Sequence, residues 1–205
     1  MSATSTPTPA AAVAAPPEID QRIIFHDVTW TEFEVMLAVR GDRAGIRMTY
    51  LEGELELMSP SVNHEGVKKV IARLLEIYAL ETGIPLNGLG SWTLKNPRRA
   101  RALEPDECYS VGTGLPTRPD LAIEVIWTSG GIDKLEIYRG LDVGEVWLWR
   151  GGAIEVYVLA GEQYERRQRS VVFPGLYLVE LVRHIDAENQ TDAVRRYRDV
   201  LRRNA

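Results

Sequence analysis

Apolar residues along this chain recur at two spacings, and the spacing marks the element. Thr29-Trp30-Thr31-Glu32 places a hydroxyl three residues before a carboxylate, the form of a capping box. Phe33, Met36 and Leu37 follow at helical spacing, which predicts a short helix to about Arg40. Residues 47–51 and 54–58 flank Glu52-Gly53, and Glu54-Leu55-Glu56-Leu57 alternates strictly, which predicts a β-hairpin. After Ser59-Pro60, the residues Val67, Val70, Ile71, Leu74, Leu75 and Tyr78 form one apolar face of a longer helix that Gly83 stops. Strands are expected over 90–94, 107–111 and 121–127, and a short helix over about 132–139. Residues 145–149 and 154–159 flank Gly151-Gly152, a hairpin signal. The stretch 171–182 reads as one or two further strands around Pro174-Gly175, and Val194, Tyr197 and Leu201 share one face of a last helix over 193–203. Runs of strands with a few helices set against them predict an α/β or α+β layer fold.

Composition adds boundaries. Residues 1–20 are Ala, Pro, Ser and Thr with almost no large apolar group, so nothing there offsets the entropy of ordering, and a disordered tail is expected. The domain then spans 21–188, with an Arg-rich helix over 189–205. The 205 residues, 45% apolar and 26% charged, suit one globular domain. A net charge of −5 argues against a non-specific nucleic-acid binder with a broadly basic surface, but not against a nuclease, whose site is acidic. Cys108 is the single cysteine, so the chain forms no internal disulfide, a Cys-based zinc site is disfavoured, and a reducing cytoplasm fits. No apolar run approaches the roughly 18 residues of a membrane helix, and a signal-peptide pattern is absent from the N-terminus.

One carboxylate stands out against this background. Leu121-Ala122-Ile123-Glu124-Val125-Ile126 reads as a central strand, covered on both faces, with Glu124 inside it. A buried carboxylate costs several kcal/mol unless it is paired, hydrogen-bonded or bound to metal, so Glu124 requires a partner. Asp120 shares its face but lies roughly 13 Å along the strand, too far to share an ion. Asp106, 124 − 106 = 18 residues upstream, has room for a strand, a turn and a return strand that bring it beside Glu124. Two acids and a backbone carbonyl on adjacent strands make an oxygen-rich site suited to magnesium and to hydrolysis of a phosphate. Lys134, at the start of the next helix, is placed to reach back over the sheet.

Each of these residues also has a plainer reading. Glu124 is equally a structural acid paired with Lys134 or an arginine, Asp106 after a proline is a common turn residue, and Lys134 is a common solvated helix residue. Glu54 reads as an exposed strand residue, and Glu65 as a first-helix acid or simply a favourable charge at a helix N-terminus. His64 reads as a helix-start residue, Cys108 as packing, Trp147 and Trp149 as core, and the terminal arginines as a solvated face.

Taken in order, Gly53-Glu54-Leu55-Glu56-Leu57-Met58-Ser59-Pro60 with His64, then Pro105-Asp106, Pro119-Asp120-Leu121-x-x-Glu124-Val125, Lys134-x-x-x-Tyr138 and Val143-Gly144-Glu145-x-Trp147, resemble the Uma-two family of restriction-endonuclease-like proteins, within the PD-(D/E)xK nuclease superfamily. The resemblance covers about residues 25–185. It implies a restriction-endonuclease-like core: a mixed β-sheet flanked by helices, with an N-terminal helix and β-hairpin. It also implies DNA as substrate and Mg2+ or Mn2+ as cofactor. Asp106 and Glu124 would be the metal acids, the Val125 carbonyl a further ligand, and Lys134 the catalytic lysine. Such enzymes often act as homodimers, with one site per strand. Two departures stand out. Ile126 occupies the position of the superfamily's usual lysine, and Trp127-Thr128 replaces the family's Ser-Pro. The rival expectation is a catalytically impaired nuclease-fold domain that binds nucleic acid or protein, and a third is a structural domain with a salt-bridged Glu124.

Overall fold

The computed structural model describes residues 17–43, 45–127 and 130–203; the tail expected over 1–20 lies outside them except for its last four residues. In chain order the elements are β1 (Gln21–Phe25), α1 (Trp30–Arg40), β2 (Arg47–Leu51), β3 (Glu54–Ser59), α2 (Val62–Thr82), β4 (Leu86–Gly88), β5 (Leu94–Asn96) and β6 (Arg101–Leu103). Next come β7 (Glu107–Val111), β8 (Leu121–Val125), α3 (Lys134–Gly140), β9 (Glu145–Arg150), β10 (Ala153–Ala160), β11 (Gln163–Arg167), α4 (Leu178–Arg183) and α5 (Gln190–Arg203).

Two sheets result. The first has the order β1-β3-β2-β6-β5 and the second β11-β10-β9-β8-β7-β4. Among the described residues every strand pairing is antiparallel except β8 with β9, which run parallel and are joined across α3. This is the mixed α/β, restriction-endonuclease-like architecture expected from the sequence, with the predicted N-terminal helix and hairpin in place. The capping box forms: Glu32 N–H donates to Thr29 Oγ1, and Thr29 N–H donates to the Glu32 carboxylate at 2.8 Å.

Three apolar clusters hold the layers. Val70, Ile71, Leu74 and Leu75 of α2 pack with Tyr197 of α5 against Tyr109, Leu121, Ile123 and Trp147 on one face of the second sheet. On the opposite face, Ile137 and Tyr138 of α3 meet Cys108, Ala122, Val146 and Leu148. Leu94 and Leu103 join that second cluster and so attach the first sheet to the second. Phe33 of α1 closes the far side of the first sheet on Met48, Tyr50 and Leu55.

The structure departs from the expected elements at several points, and β1 and β6 also lie where no strand was expected. Residues 90–94 are not a strand. Gly90 takes a left-handed turn (φ 61°) and the Cys108 thiol meets its carbonyl at 3.2 Å, so the pairing divides into the three-residue strands β4 and β5 on either side. Residues 171–182 form no strand: Phe173 and Leu176 drop into the core, and α4 follows, with Leu178 and Leu181 on its buried side. Gln163–Arg167, not expected at all, is the edge strand β11, whose mostly exposed residues carry no apolar alternation.

Candidate active site

The site begins with the register of β7 on β8. Cys108 faces Ala122 and Glu107 faces Ile123, so the next step places Asp106 opposite Glu124. Asp106 sits just before β7, and its Oδ2 accepts the Val125 amide at 2.7 Å, which ties it to the end of β8. Both acids are buried, Asp106 at 1% and Glu124 at 0% exposure. Such burial requires compensation, and each acid finds it from a different direction.

Glu124 points to the α3 side. Lys134 Nζ meets its Oε2 and the Tyr138 hydroxyl donates to its Oε1. The two partners are four residues apart on α3, hence one turn apart on the same face. Asp133 fixes where that helix starts, its carboxylate accepting the Leu135 and Glu136 amides at 3.0 and 3.2 Å. The Tyr138 hydroxyl is held protonated by burial and by the charge of Glu124.

Asp106 is compensated from the other layer and from α2. Its Oδ1 is in ion-pair contact with Arg47 Nη1 of β2 and lies 3.0 Å from His64 Nε2. The other ring nitrogen of His64 meets Asp20 Oδ2 at 3.1 Å. Arg47 also donates to Glu65 at 2.7 Å, and Lys68 meets that same carboxylate at 2.5 Å. Burial is the largest influence on His64 and pushes its pKa down. Asp20 opposes that shift, while Arg47 and Lys134 add to it. The Lys134 charge is thus felt at His64, the neighbour of Asp106. Burial likewise opposes ionisation of Glu65, but the Lys68 hydrogen bond and the Arg47 charge outweigh it and hold its pKa low.

Two cavities reach the network. One of about 620 Å3 is lined by Arg40, Arg43, Arg47 and Lys68, with Ser91 and Thr93. The other, about 560 Å3, is lined by Lys134, Arg22, Glu56, Ile126, Arg150 and Tyr157. In the second, Glu56 is buried at 1%, pairs with Arg22 at 2.9 Å and accepts the Ile132 amide at 3.4 Å, just before the helix that bears Lys134.

The case for a divalent ion turns on one cluster in particular. Asp106 Oδ1, Arg47 Nη1 and His64 Nε2 face one another while buried, and none completes a hydrogen bond of regular geometry. The lone pairs of that carboxylate oxygen are open to a cation only where the Arg47 guanidinium gives way. No three His, Cys, Asp or Glu side chains among the described residues converge as ligands. Magnesium needs fewer, since one or two carboxylates and waters suffice.

The remaining candidates take up plainer positions. Asp120 does not approach Glu124; its Oδ2 accepts the Val111 amide at 2.8 Å across the β7–β8 turn. Glu54 is half-exposed beside His26. Cys108 is packed, its thiol pushed up to about 12 by burial. Trp147 is fully buried, whereas Trp149 stacks on Trp127 with centroids 5.7 Å apart and planes 8° apart. On α5, Arg196 pairs with Asp186 and Asp192, and Arg202 pairs with Glu81. His184 rests 3.1 Å from Glu180.

Sequence reasoning did not single out Arg47, Asp20, Tyr138 as the second hand on Glu124, or Glu56. Of these, only Tyr138 left a signal, its four-residue spacing from Lys134.

A mixed sheet flanked by helices, with two buried acids at neighbouring strand positions, is the architecture of a restriction-endonuclease-like α/β protein. A profile of the Uma2 family, described as "Putative restriction endonuclease", matches residues 30–183, and the chain belongs to that family. Comparison with curated proteins found no match. Among the described residues no helix is long and apolar enough to cross a membrane.

Proposed function

We propose that the protein is a magnesium-dependent endonuclease that hydrolyses phosphodiester bonds of DNA in the cytoplasm, acting as a homodimer with one site for each strand. The observation that carries this reading is the placement of two buried acids, Asp106 just before β7 and Glu124 opposite it on β8, with Lys134 on the second. Asp106, Glu124 and the Val125 carbonyl would hold Mg2+ or Mn2+. Bound there, the ion supplies Lewis acidity toward the phosphate and a lowered pKa for the attacking water.

The chain's own groups do the rest. Tyr138 holds Glu124 by its hydroxyl and leaves the Lys134 ammonium as the mobile partner at Oε2. Lys134, displaced from that oxygen, donates to the attacking water or to a phosphate oxygen as charge builds on it. Arg47, Arg40, Arg43 and Lys68 line a cavity suited to phosphates, and Arg47 joins its wall to Asp106. Lys134 on α3 stands in for the lysine that Ile126 replaces.

A second reading has its own observation. Both oxygens of Glu124 already have protein partners, which is also how a purely structural acid is satisfied in a binding module. Plasmid nicking with and without Mg2+ or Mn2+ separates the two. The nuclease predicts metal-dependent nicking, abolished in Asp106→Ala and slowed on the order of 10²-fold in Lys134→Ala. Retention of DNA with no nicking under any metal sinks the nuclease and supports the binder.

A further inference from the structure

We propose that Asp20, acting through His64, is a positioning residue that fixes the Asp106 carboxylate for its metal. The claim rests on the nuclease reading of Asp106. It assigns a role to the N-terminal arm, which lies outside residues 30–183 matched by the family.

The geometry is a line of contacts through the interior. The Ser61 amide donates to Asp20 Oδ1 at 2.8 Å, Asp20 Oδ2 meets His64 Nδ1 at 3.1 Å, and His64 Nε2 meets Asp106 Oδ1 at 3.0 Å. Asp106 Oδ2 then closes the line on the Val125 amide. The side chains of Asp20, His64 and Asp106 are each 1% exposed or less. Water is therefore shut out along its length, and the contacts act in a low-dielectric interior.

The arm is held at both ends of Asp20. On one side the Val62 amide donates to the Pro17 carbonyl at 3.4 Å and Asn63 donates to the Glu18 carbonyl at 3.3 Å. On the other side β1 begins at once, with Gln21 paired to Ser59. His64 is fixed as well: Ser61 caps α2 and accepts the His64 amide at 3.2 Å. The imidazole is thus a rigid spacer between two carboxylates, and what holds one ring nitrogen sets the ring plane offered at the other. This is the relation in which outer carboxylates orient groups at a metal. A simple helix tie would need only the oxygen that Ser61 uses. The second oxygen of Asp20 is directed to His64 instead.

The test uses the full chain carrying Asp20→Ala, Asp20→Ser, His64→Ala and the double substitution D20A/H64A. Asp20→Ser keeps a hydroxyl for the Ser61 amide but cannot also span to Nδ1, so it preserves the fold if the alanine variant does not. Mn2+ affinity is read by calorimetry, and the Asp106 side-chain carboxyl 13C resonance is read in metal-free protein. Both Asp20 variants are expected to weaken Mn2+ on the order of tenfold and to move the Asp106 resonance. The double variant is expected to lose no more than His64→Ala alone, because the effect passes through one residue. A fall in melting temperature with affinity and resonance unchanged overturns the proposal, as do losses that multiply in the double variant. If the wild type binds no Mn2+, the nuclease reading fails, and the Asp106 resonance alone decides whether Asp20 acts on it.

Discussion

Glu136 shows how much one side chain on α3 is asked to hold. Its carboxylate accepts from Arg139 Nε at 2.9 Å and from Arg101 Nη2 at 2.6 Å, so it ties its own helix to β6 of the other sheet. Hydrogen bonds from Arg139 and then Arg101 bring its pKa down from 4.5 to about 2. A carboxylate depressed on folding adds stability that is fully present above its unfolded pKa and is lost as pH falls through the folded one. Glu136→Gln should therefore lower the urea midpoint at pH 6 and leave it unchanged near pH 2. The effect will be modest, because the group is one-third exposed. A gap that persisted undiminished at pH 2 would show that packing, not charge, carries the interaction. At this scale the sequence exposes only what periodicity carries. Glu124 stood out because an acid interrupts an apolar run, and Lys134 because it opens the following helix. Asp20 and Arg47 were invisible, since Arg47 meets Asp106 directly and Asp20 meets it only through His64, across a fold that spacing does not encode; Asp20 is 106 − 20 = 86 residues away from Asp106.

The element that places Lys134 also has the tightest close approach. Gly140 ends α3 directly against Arg101, and a Cβ there would overlap the Arg101 side chain. That arginine is buried at 6% and bonded to Glu136 and Glu52, so it has nowhere to go. Gly140→Ala is expected to cost about 1–3 kcal/mol in urea unfolding, as overpacking does. A neutral result would mean that Arg101 swings out freely. Most elements were legible because one face is apolar and regular, as in α1, α2 and the β2–β3 hairpin, or because an apolar run is continuous, as in β8, which is buried on both faces. Those missed have physical reasons. β4 and β5 are only three residues each, too short for a period to show. β11 is an edge strand with exposed Gln163, Glu165, Arg166 and Arg167. In α4 the β-branched Val179 and Val182 imitate a strand, yet Val179 is 71% exposed and only Leu178 and Leu181 face inward.

Across the whole molecule, a net charge of −5 coexists with a local concentration of cations. Arg40, Arg43, Arg47 and Lys68 gather around one cavity, although Glu65 and Glu104 already engage three of them. Under the proposed function this cavity receives the DNA backbone, and Arg43 is the exposed member to alter. Arg43→Ala should weaken metal-free binding of a labelled duplex and reduce the slope of log affinity against log salt by about 1, one phosphate contact's worth. Fluorescence anisotropy over a range of KCl reads both, and an unchanged slope would move the DNA path elsewhere. The overall architecture was readable in advance because it follows from the alternation of elements; the meeting of the two sheets was not, because it rests on individual contacts such as Leu94 and Leu103 entering the α3 cluster.

The gathering of Asp20, His64, Asp106 and Glu124 has a temporal side. They span 124 − 20 = 104 residues, and closing so long a stretch costs entropy before any contact rewards it. A nascent chain emerging from the ribosome carries Asp20 and His64 long before β8 exists to receive Asp106. Under the proposed chemistry, such a partly synthesised chain is silent toward nucleic acid, and its hydrolytic capacity arrives as one of the last consequences of folding.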